Sequence, residues 1–390
     1  MKRIQFTDCI ELVGNSCSYY EGEKKYISTG TIAVDKIEAD KVEVVSYENK
    51  PSRANLIVEK NTIIFAKMQD TKKTLLIDAE TEQYVFSTGF CAVKPKESVI
   101  NARCLYHLLM SKMFLEQKDE NCSGATQKAI TNAGLNKIIV TIPPLEIQAS
   151  IAEQLDKIQS IIDIRQSELS HLDDLIKARF VELFGDPYIN DRNWIVDTLG
   201  NYMTTLTDFS ANGSYELLDS NVVMYDEPNY AVMVRTTDLE SGDLNSGVKY
   251  IDKSAYELLN KSKLFGGELI MNKIGSAGKI YIMPYIDKPA SLGRNAFMFR
   301  FDDRLNMKYL YFLLSSDYGT NEIQQYVRGA VTKTITKDST RAIKIVVPPI
   351  ELQNQFAAFV EQTDKSKFAV QKSLEETQLL FDSLMQKYFG

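Results

Sequence analysis

The chain has 390 residues, 44% of them hydrophobic and 25% charged, with a formal net charge of −7. That composition excludes a disordered or fibrous chain and predicts an ordinary globular protein of two or three domains. Five cysteines without a Cys-x-x-Cys pair give no disulfide framework or zinc knuckle, and no apolar run is long enough to span a bilayer. The start, MKRIQFTDCIELVG, meets acidic residues too soon for a signal peptide, so a reducing cytoplasm without membrane contact is the expected setting.

The first globular region is expected over residues 1–142, with a net charge of +1. Residues 26–32 and 61–66 cluster β-branched and apolar residues as strands do, and residues 86–93, FSTGFCAV, form a buried strand with a glycine kink. Between them lies a polar loop carrying Lys67, Gln69, Lys72 and Lys73. Residues 101–118 place Leu105, Leu108, Leu109 and Met113 on one helical face. A small-residue loop, NCSGATQKAIT, follows, and then a last strand over 135–142 that Pro143-Pro144 stops.

Residues 143–185 predict one long helix, and residues 348–390 repeat it without a gap. Pro143 matches Pro348, Gln148 matches Gln353, and Phe184-Gly185 matches Phe389-Gly390, each pair 205 positions apart. The copy extends upstream, because GATQKAIT at residues 124–131 aligns with GAVTKTIT at 329–336. Tyr106 in YHLL likewise meets Tyr311 in YFLL. The chain is therefore two tandem halves: globular residues 1–142, helix 143–189, globular residues 190–347 and helix 348–390. The acidity sits mainly on the helices: residues 143–190 carry −5 and residues 348–390 carry −2, against −1 for residues 191–347. A reader of nucleic acid that is close to neutral must cluster its basic residues on one face or take charge from a partner.

The second globular region repeats the plan of the first with other loops. A strand over 231–239 runs into a polar end, GGELIMNKIGSAGKIYIM reads as strand, loop, strand, and ASLGRNAFMFRF matches FSTGFCAV. Residues 307–325 match the earlier helix. Divergent loops on one scaffold predict that each half recognises something different.

Along the first long helix, apolar positions step by four and three from Ile151 through Leu155, Ile162 and Leu169 to Leu183, interrupted by Arg165 and Arg179. The second copy runs from Phe356 to Tyr388 and is interrupted by Thr363, Lys367 and Thr377. A 3.5-residue repeat is a coiled-coil seam, and the differing flaws predict that the two helices pair with each other. Each is a rod of roughly 58 Å at ~1.5 Å per residue. Antiparallel pairing would return Gly390 to the neighbourhood of Met1. The expected fold is α+β: two pseudo-twofold-related globular α/β domains separated by a pair of long antiparallel coiled-coil helices.

On these residues the chain resembles the specificity subunit of a type I restriction-modification system. The resemblance is carried by PPLEIQASIAEQLDKI and PPIELQNQF, the GATQKAIT and GAVTKTIT loops and the KARFVELFG ending, and it covers the whole chain. It implies two target-recognition domains, each reading half of a bipartite sequence in double-stranded DNA, with the helices setting the spacing and docking methyltransferase subunits. It also implies S-adenosylmethionine on that partner rather than here, adenine methylation by it, and a restriction or motor subunit in the complex.

No catalytic constellation competes with this reading. The Pro-Pro pairs follow Ile142 and Val347 and precede Leu145 and Ile350, so they read as helix starts rather than as an adenine methyltransferase motif. Phe265-Gly266-Gly267 reads as a turn, Gly278-Lys279 lacks the rest of a phosphate loop, and His107 and His171 form no site. No metal cluster is expected. DNA readout needs polar side chains on loops and helix ends. The candidates in the first half are Ser28, Thr29, Lys67, Gln69, Lys72, Lys73, Ser123, Thr126, Gln127 and Lys128. In the second half they are Arg235, Thr236, Lys273, Ser276, Lys279, Arg294, Asn295, Arg328, Thr332 and Lys333. The alternative is a scaffold whose two heads on a coiled-coil strut bind proteins.

Overall fold

The computed structural model describes residues 1–390 and divides them into two compact units. The first comprises residues 1–169 together with 369–390, and the second comprises residues 170–368. The boundary between units therefore falls inside both long helices, which run Leu145–Phe184 and Ile350–Phe389. No helix is long and apolar enough to cross a membrane.

In the first unit, strand Lys2–Gln5 pairs antiparallel with Ile139–Ile142 and ties the two ends of the globular region together. A four-stranded sheet follows the order Thr74–Leu76, Ile63–Ala66, Phe90–Pro95, Ile10–Val13. A five-stranded sheet has the order Asn15–Ser16, Ala54–Ile57, Val85–Ser87, Glu23–Ile27, Glu43–Ser46, in which Val85–Ser87 and Glu23–Ile27 run parallel. The main core packs Phe6, Phe65 and Phe114, with ring centroids 4.9 to 6.5 Å apart, together with Leu155 and Phe389 from the long helices.

The second unit repeats these pairings. Ile195–Thr198 pairs with Lys344–Val347, and one sheet has the order Met203–Asp208, Ala296–Phe301, Leu269–Asn272, Ile280–Ile282. The other runs Lys249–Ile251, Ala231–Val234, Ala290–Leu292, Lys263–Leu264, with its central pair again parallel.

Several expectations change; the strands expected over 135–142 and 231–239 shorten to Ile139–Ile142 and Ala231–Val234, next to helical turns Asn132–Leu135 and Thr236–Ser241. The stretches FSTGFCAV and ASLGRNAFMFRF are not single kinked strands. Each is two strands, Val85–Ser87 and Phe90–Pro95, or Ala290–Leu292 and Ala296–Phe301, placed in different sheets. The chain passes from one sheet to the other between the paired strands, which local apolarity cannot reveal. The helix expected over 101–118 is two, Ala102–Met110 and Lys112–Glu120, because Ser111 is extended (ψ 148°) and its hydroxyl caps the second by accepting from the Phe114 amide. Ser316 does the same between Met307–Ser315 and Asp317–Gln324. The strand expected over 26–32 ends at Ile27, where Ser28 caps a short 3₁₀ turn.

The shared glutamines explain why the helix starts are alike. Gln148 is fully buried, donates to the carbonyls of Val99 and Pro143 (both 3.0 Å), and accepts from the Asn101 amide at 2.9 Å. Gln353 repeats this with Arg304, Pro348 and Asn306. Each glutamine ties the long helix to the start of the shorter helix beside it. At the other end, Gly185 adopts φ +74°, a side chain there would collide with Asp191, and the Trp194 indole donates to the Phe184 carbonyl at 2.9 Å.

Each unit pairs the two long helices antiparallel. In the first, Ile151 and Leu155 share a core with Met385 and Phe389. In the second, Phe180 and Phe184 pack on Phe356 at 5.4 and 5.6 Å. None of the predicted seam positions is exposed. Three interruptions find partners on the opposite helix: Arg165 donates to the Ser373 carbonyl at 2.6 Å and reaches the Thr377 hydroxyl. Lys367 bonds Asp173 at 2.5 Å, and Arg179 lies over the Phe359 ring. Arg165 thus reaches across the seam to the other helix.

Phe184→Ala should lower the urea midpoint by the equivalent of about 3–5 kcal/mol, since it removes a ring packed on three others. Phe368→Ala, 74% exposed on the second helix, should stay within about 0.5 kcal/mol. Equal shifts for the two variants would contradict the seam.

Candidate nucleic-acid interface

In the first unit the loop after strand Ile63–Ala66 is stitched to a small hairpin, Cys122–Ser123 with Ala129–Ile130. The Ile130 amide donates to the Lys67 carbonyl (2.8 Å), the Gln69 amide donates to the Lys128 carbonyl (3.1 Å), and Met68 bridges Ala129. The second unit makes the same stitches after Leu269–Asn272. Ile335 donates to Lys273 (3.0 Å), Gly275 donates to Lys333 (3.0 Å), and Ile274 bridges Thr334. Two loops that the sequence named separately therefore form one surface in each unit.

Several of the remaining candidates are bonded to that surface, whereas Lys72 lines a cleft with Met110 and with Phe381 of the second long helix. The Lys73 ammonium donates to the Thr29 carbonyl at 2.6 Å, and the Lys67 ammonium donates to the Thr88 carbonyl at 3.1 Å. Ser28 caps the turn that carries Thr29. Ser123, Thr126, Gln127 and Lys128 are exposed on the hairpin, and the Gln127 amide lies 2.7 Å from the Met68 sulfur. In the second unit the Lys273 amide donates to the Asn295 carbonyl (2.9 Å) beside Arg294, while Ser276, Thr332 and Lys333 are exposed. Arg328 pairs its backbone with Thr334 and turns its guanidinium onto the carbonyls of Gln325 and Val327. Thr236 opens the short helix Thr236–Ser241.

The cations differ in what holds them. Lys67, Lys72, Lys73, Lys128, Arg328 and Lys333 have no carboxylate within 4 Å, which leaves their charge available to a polyanion. Four candidates in the second unit are held by acids. Arg235 grips buried Asp238 through Nε and Nη2 (3.0 and 2.5 Å) and also donates to the Gly247 carbonyl. Arg294 bonds Asp219 at 3.1 Å over the rings of Phe209 and Tyr215, and Lys279 pairs with Glu240. Lys273 is only 13% exposed and pairs with Asp208 at 2.7 Å. Lys273 is thus a structural cation whose alignment with Lys67 does not extend to its role.

Sequence reading missed the residues beneath the loops. Lys118 is buried, donates to the carbonyls of Met68 (3.0 Å) and Thr71 (2.8 Å), and sits 3.1 Å from Asp119, which accepts from the Asp70 amide. Its position in the second unit is Ile323, which packs under Gly278 with an apolar contact. Asp208 stands where the first unit has Val13, by the matching pairs Ala92 with Val13 and Phe297 with Asp208. It takes two ammoniums, Lys273 and Lys337. A lysine four residues after Phe114 was the only signal for Lys118, and that spacing alone does not say what the ammonium meets.

Burial pushes the Asp208 carboxyl up, but hydrogen bonds and charge from Lys273 and Lys337 outweigh it and hold the group below the usual carboxylate range. A depressed folded-state value adds stability above the unfolded-state value near 4, which is lost as pH falls through the folded one. The urea midpoint of the second unit should therefore fall below about pH 4. Asp208→Ala, which strands two ammoniums, should cost about 3–5 kcal/mol at neutral pH and flatten that acid response. A variant with the wild-type midpoint and pH profile would show that the pairing is not stabilising.

A family model described as the type I restriction modification DNA specificity domain matches residues 10–173 and again residues 202–378. The EcoBI specificity subunit of Escherichia coli is 23% identical over 337 residues, which cover 79% of this chain and 69% of the relative. The MjaVIII specificity subunit of Methanocaldococcus jannaschii is 20% identical, over 88% and 80%. Among solved structures, the type I restriction-modification S subunit from M. genitalium aligns with TM-score 0.57 at 16% identity, over 100% of this chain and 96% of that one. A chain from a study of complex assembly and conformational transition of the type I R-M system aligns with TM-score 0.60 at 18% identity, over 99% and 97%. With both halves matched, the chain belongs to the type I restriction-modification DNA specificity family.

Proposed function

We propose that each unit reads one half of a bipartite site in double-stranded DNA through the surface built from its strand-following loop and its hairpin. The carrying observation is the pair of identical stitches, Ile130 to Lys67 and Ile335 to Lys273, which hold dissimilar side chains in one frame. A frame used twice with different polar residues suits two different half-sites. The unpaired lysines supply phosphate attraction, while Arg235, whose Nε and Nη2 are held by Asp238 and the Gly247 carbonyl, keeps only Nη1 for an outside acceptor.

The chain itself supplies no catalysis in this reading. Adenine methylation belongs to methyltransferase subunits that bring S-adenosylmethionine, and a restriction or motor subunit completes the cytoplasmic complex. The residues here do not fit an adenine pocket, because Gln148 and Gln353 occupy the Pro143 and Pro348 carbonyls and those prolines lead straight into helices. Apolar side chains left outside the seam, Ile164 and Leu379 in the first unit and Val181 and Phe368 in the second, offer the helix surface to methyltransferase subunits.

Co-expression with the cognate methyltransferase should place N6-methyladenine in a single split motif across a host genome. Modified adenines without a common two-part motif would refute the reading, and binding of proteins without DNA would favour a two-headed scaffold. Inserting one heptad between Ile158 and Leu172, with its match in the second helix, should lengthen or abolish the gap between half-sites. Neither half-site should change. A changed base within a half-site would contradict the separation of reading from spacing.

A further inference from the structure

The hairpins shared by the two halves keep more of their sequence than the loops around them. GATQKAIT and GAVTKTIT agree at glycine, alanine, lysine, isoleucine and threonine. Local structure explains three of these. Gly124 and Gly329 have φ of +136° and +106°, and a Cβ there would lie 2.6 and 2.1 Å from the carbonyls of Gln127 and Thr332. Ile130 and Ile335 are buried, and Thr131 and Thr336 cap the helical turns that follow. The lysines have no such explanation. Lys128 and Lys333 are exposed and make no side-chain bond to the rest of the chain. The five amides of residues 124–128, and those of 329–333, likewise donate to nothing in the chain.

A bipartite reader contains its own control. Residues that differ between halves can distinguish two half-sites, whereas residues alike in both face something common to both. In DNA of any sequence that common feature is the sugar-phosphate backbone. A small-residue tip with a run of free amides and one unpaired ammonium has the chemistry of a phosphate site.

We propose that the two hairpin tips grip DNA phosphates alike, with Lys128 and Lys333 in equivalent places, and that discrimination between bases rests on the divergent loops stitched to them. This rests on the DNA-reading function above and divides its surface into positioning and reading parts.

The test uses the complex with its methyltransferase subunits carrying Lys128→Ala together with Lys333→Ala, and the same pair changed to Arg. Binding to a DNA duplex bearing the wild-type motif is measured across a salt series, and genomic methyladenine is mapped in parallel. The alanine pair should bind more weakly with a salt slope shallower by about 2, near 0.9 per phosphate contact. Its methylated motif should be unchanged in both halves, and the arginine pair should restore the slope. A relaxed or altered half-site would overturn the proposal, as would an unchanged salt slope. So would loss of methyltransferase subunits on gel filtration with DNA contacts unaltered, which would make the tips a protein contact. A wild-type complex without any split motif would instead sink the DNA-reading function itself.

Discussion

The structure depends on a seam that no continuous stretch of chain can make for itself. Each unit's core is finished by helix residues that lie far away in sequence. Phe389 is buried with Phe6 and Leu155 in one unit, and Phe356 packs edge-to-face with Phe180 and Phe184 in the other. Without the distant helix segment these apolar faces would be open to water, at about 25 cal/mol for each Å² left exposed. The seam is specific as well as apolar. Arg165 satisfies its guanidinium on the Ser373 carbonyl and Thr377, and Lys367 finds Asp173, so each helix supplies what the other's interruption requires. These partly exposed contacts form in one register only, and a slipped pairing would lose them.

On that scaffold the two units solve one loop problem in two ways. The backbone stitches are identical, but the support beneath the loop is an ammonium on two carbonyls in one unit and an isoleucine methyl under a glycine in the other. The charge pattern follows the same division. The first unit leaves Lys67, Lys72, Lys73 and Lys128 without acids, whereas the second leaves Arg328 and Lys333 so but clamps Arg235, Arg294, Lys273 and Lys279 with carboxylates. A clamped guanidinium gives up some attraction for a fixed direction. This explains how a chain of net charge −7 can present cations to DNA: much of its acid lies on the helices or is bound to the basic residues it orients.

Most of the architecture was legible from residues alone, for reasons that can be located. The 205-residue repeat, the helix starts at Pro143 and Pro348 and the stop at Gly185 are local or periodic signals, and the helices Leu145–Phe184 and Ile350–Phe389 keep the same offset. Where reading failed, the deciding interaction was short but ambiguous. Ser111 fits a helix as well as a cap, and FSTGFCAV fits one kinked strand as well as two strands in different sheets. The candidate surface was legible as two loops, and their union was not, because the bond from Gln69 to Lys128 is made by backbone atoms that carry no residue identity.

By itself the sequence determined that there are two copies of one plan, that the long helices share a seam, and that the polar loops differ between copies. These follow from periodicity and self-comparison, which need no coordinates. Only the tertiary structure decided which cations remain free and that Lys118 and Asp208 lie under the loops. Those outcomes depend on burial and on long-range pairing, and a charge or an apolar side chain acquires its role from the neighbours that folding brings to it.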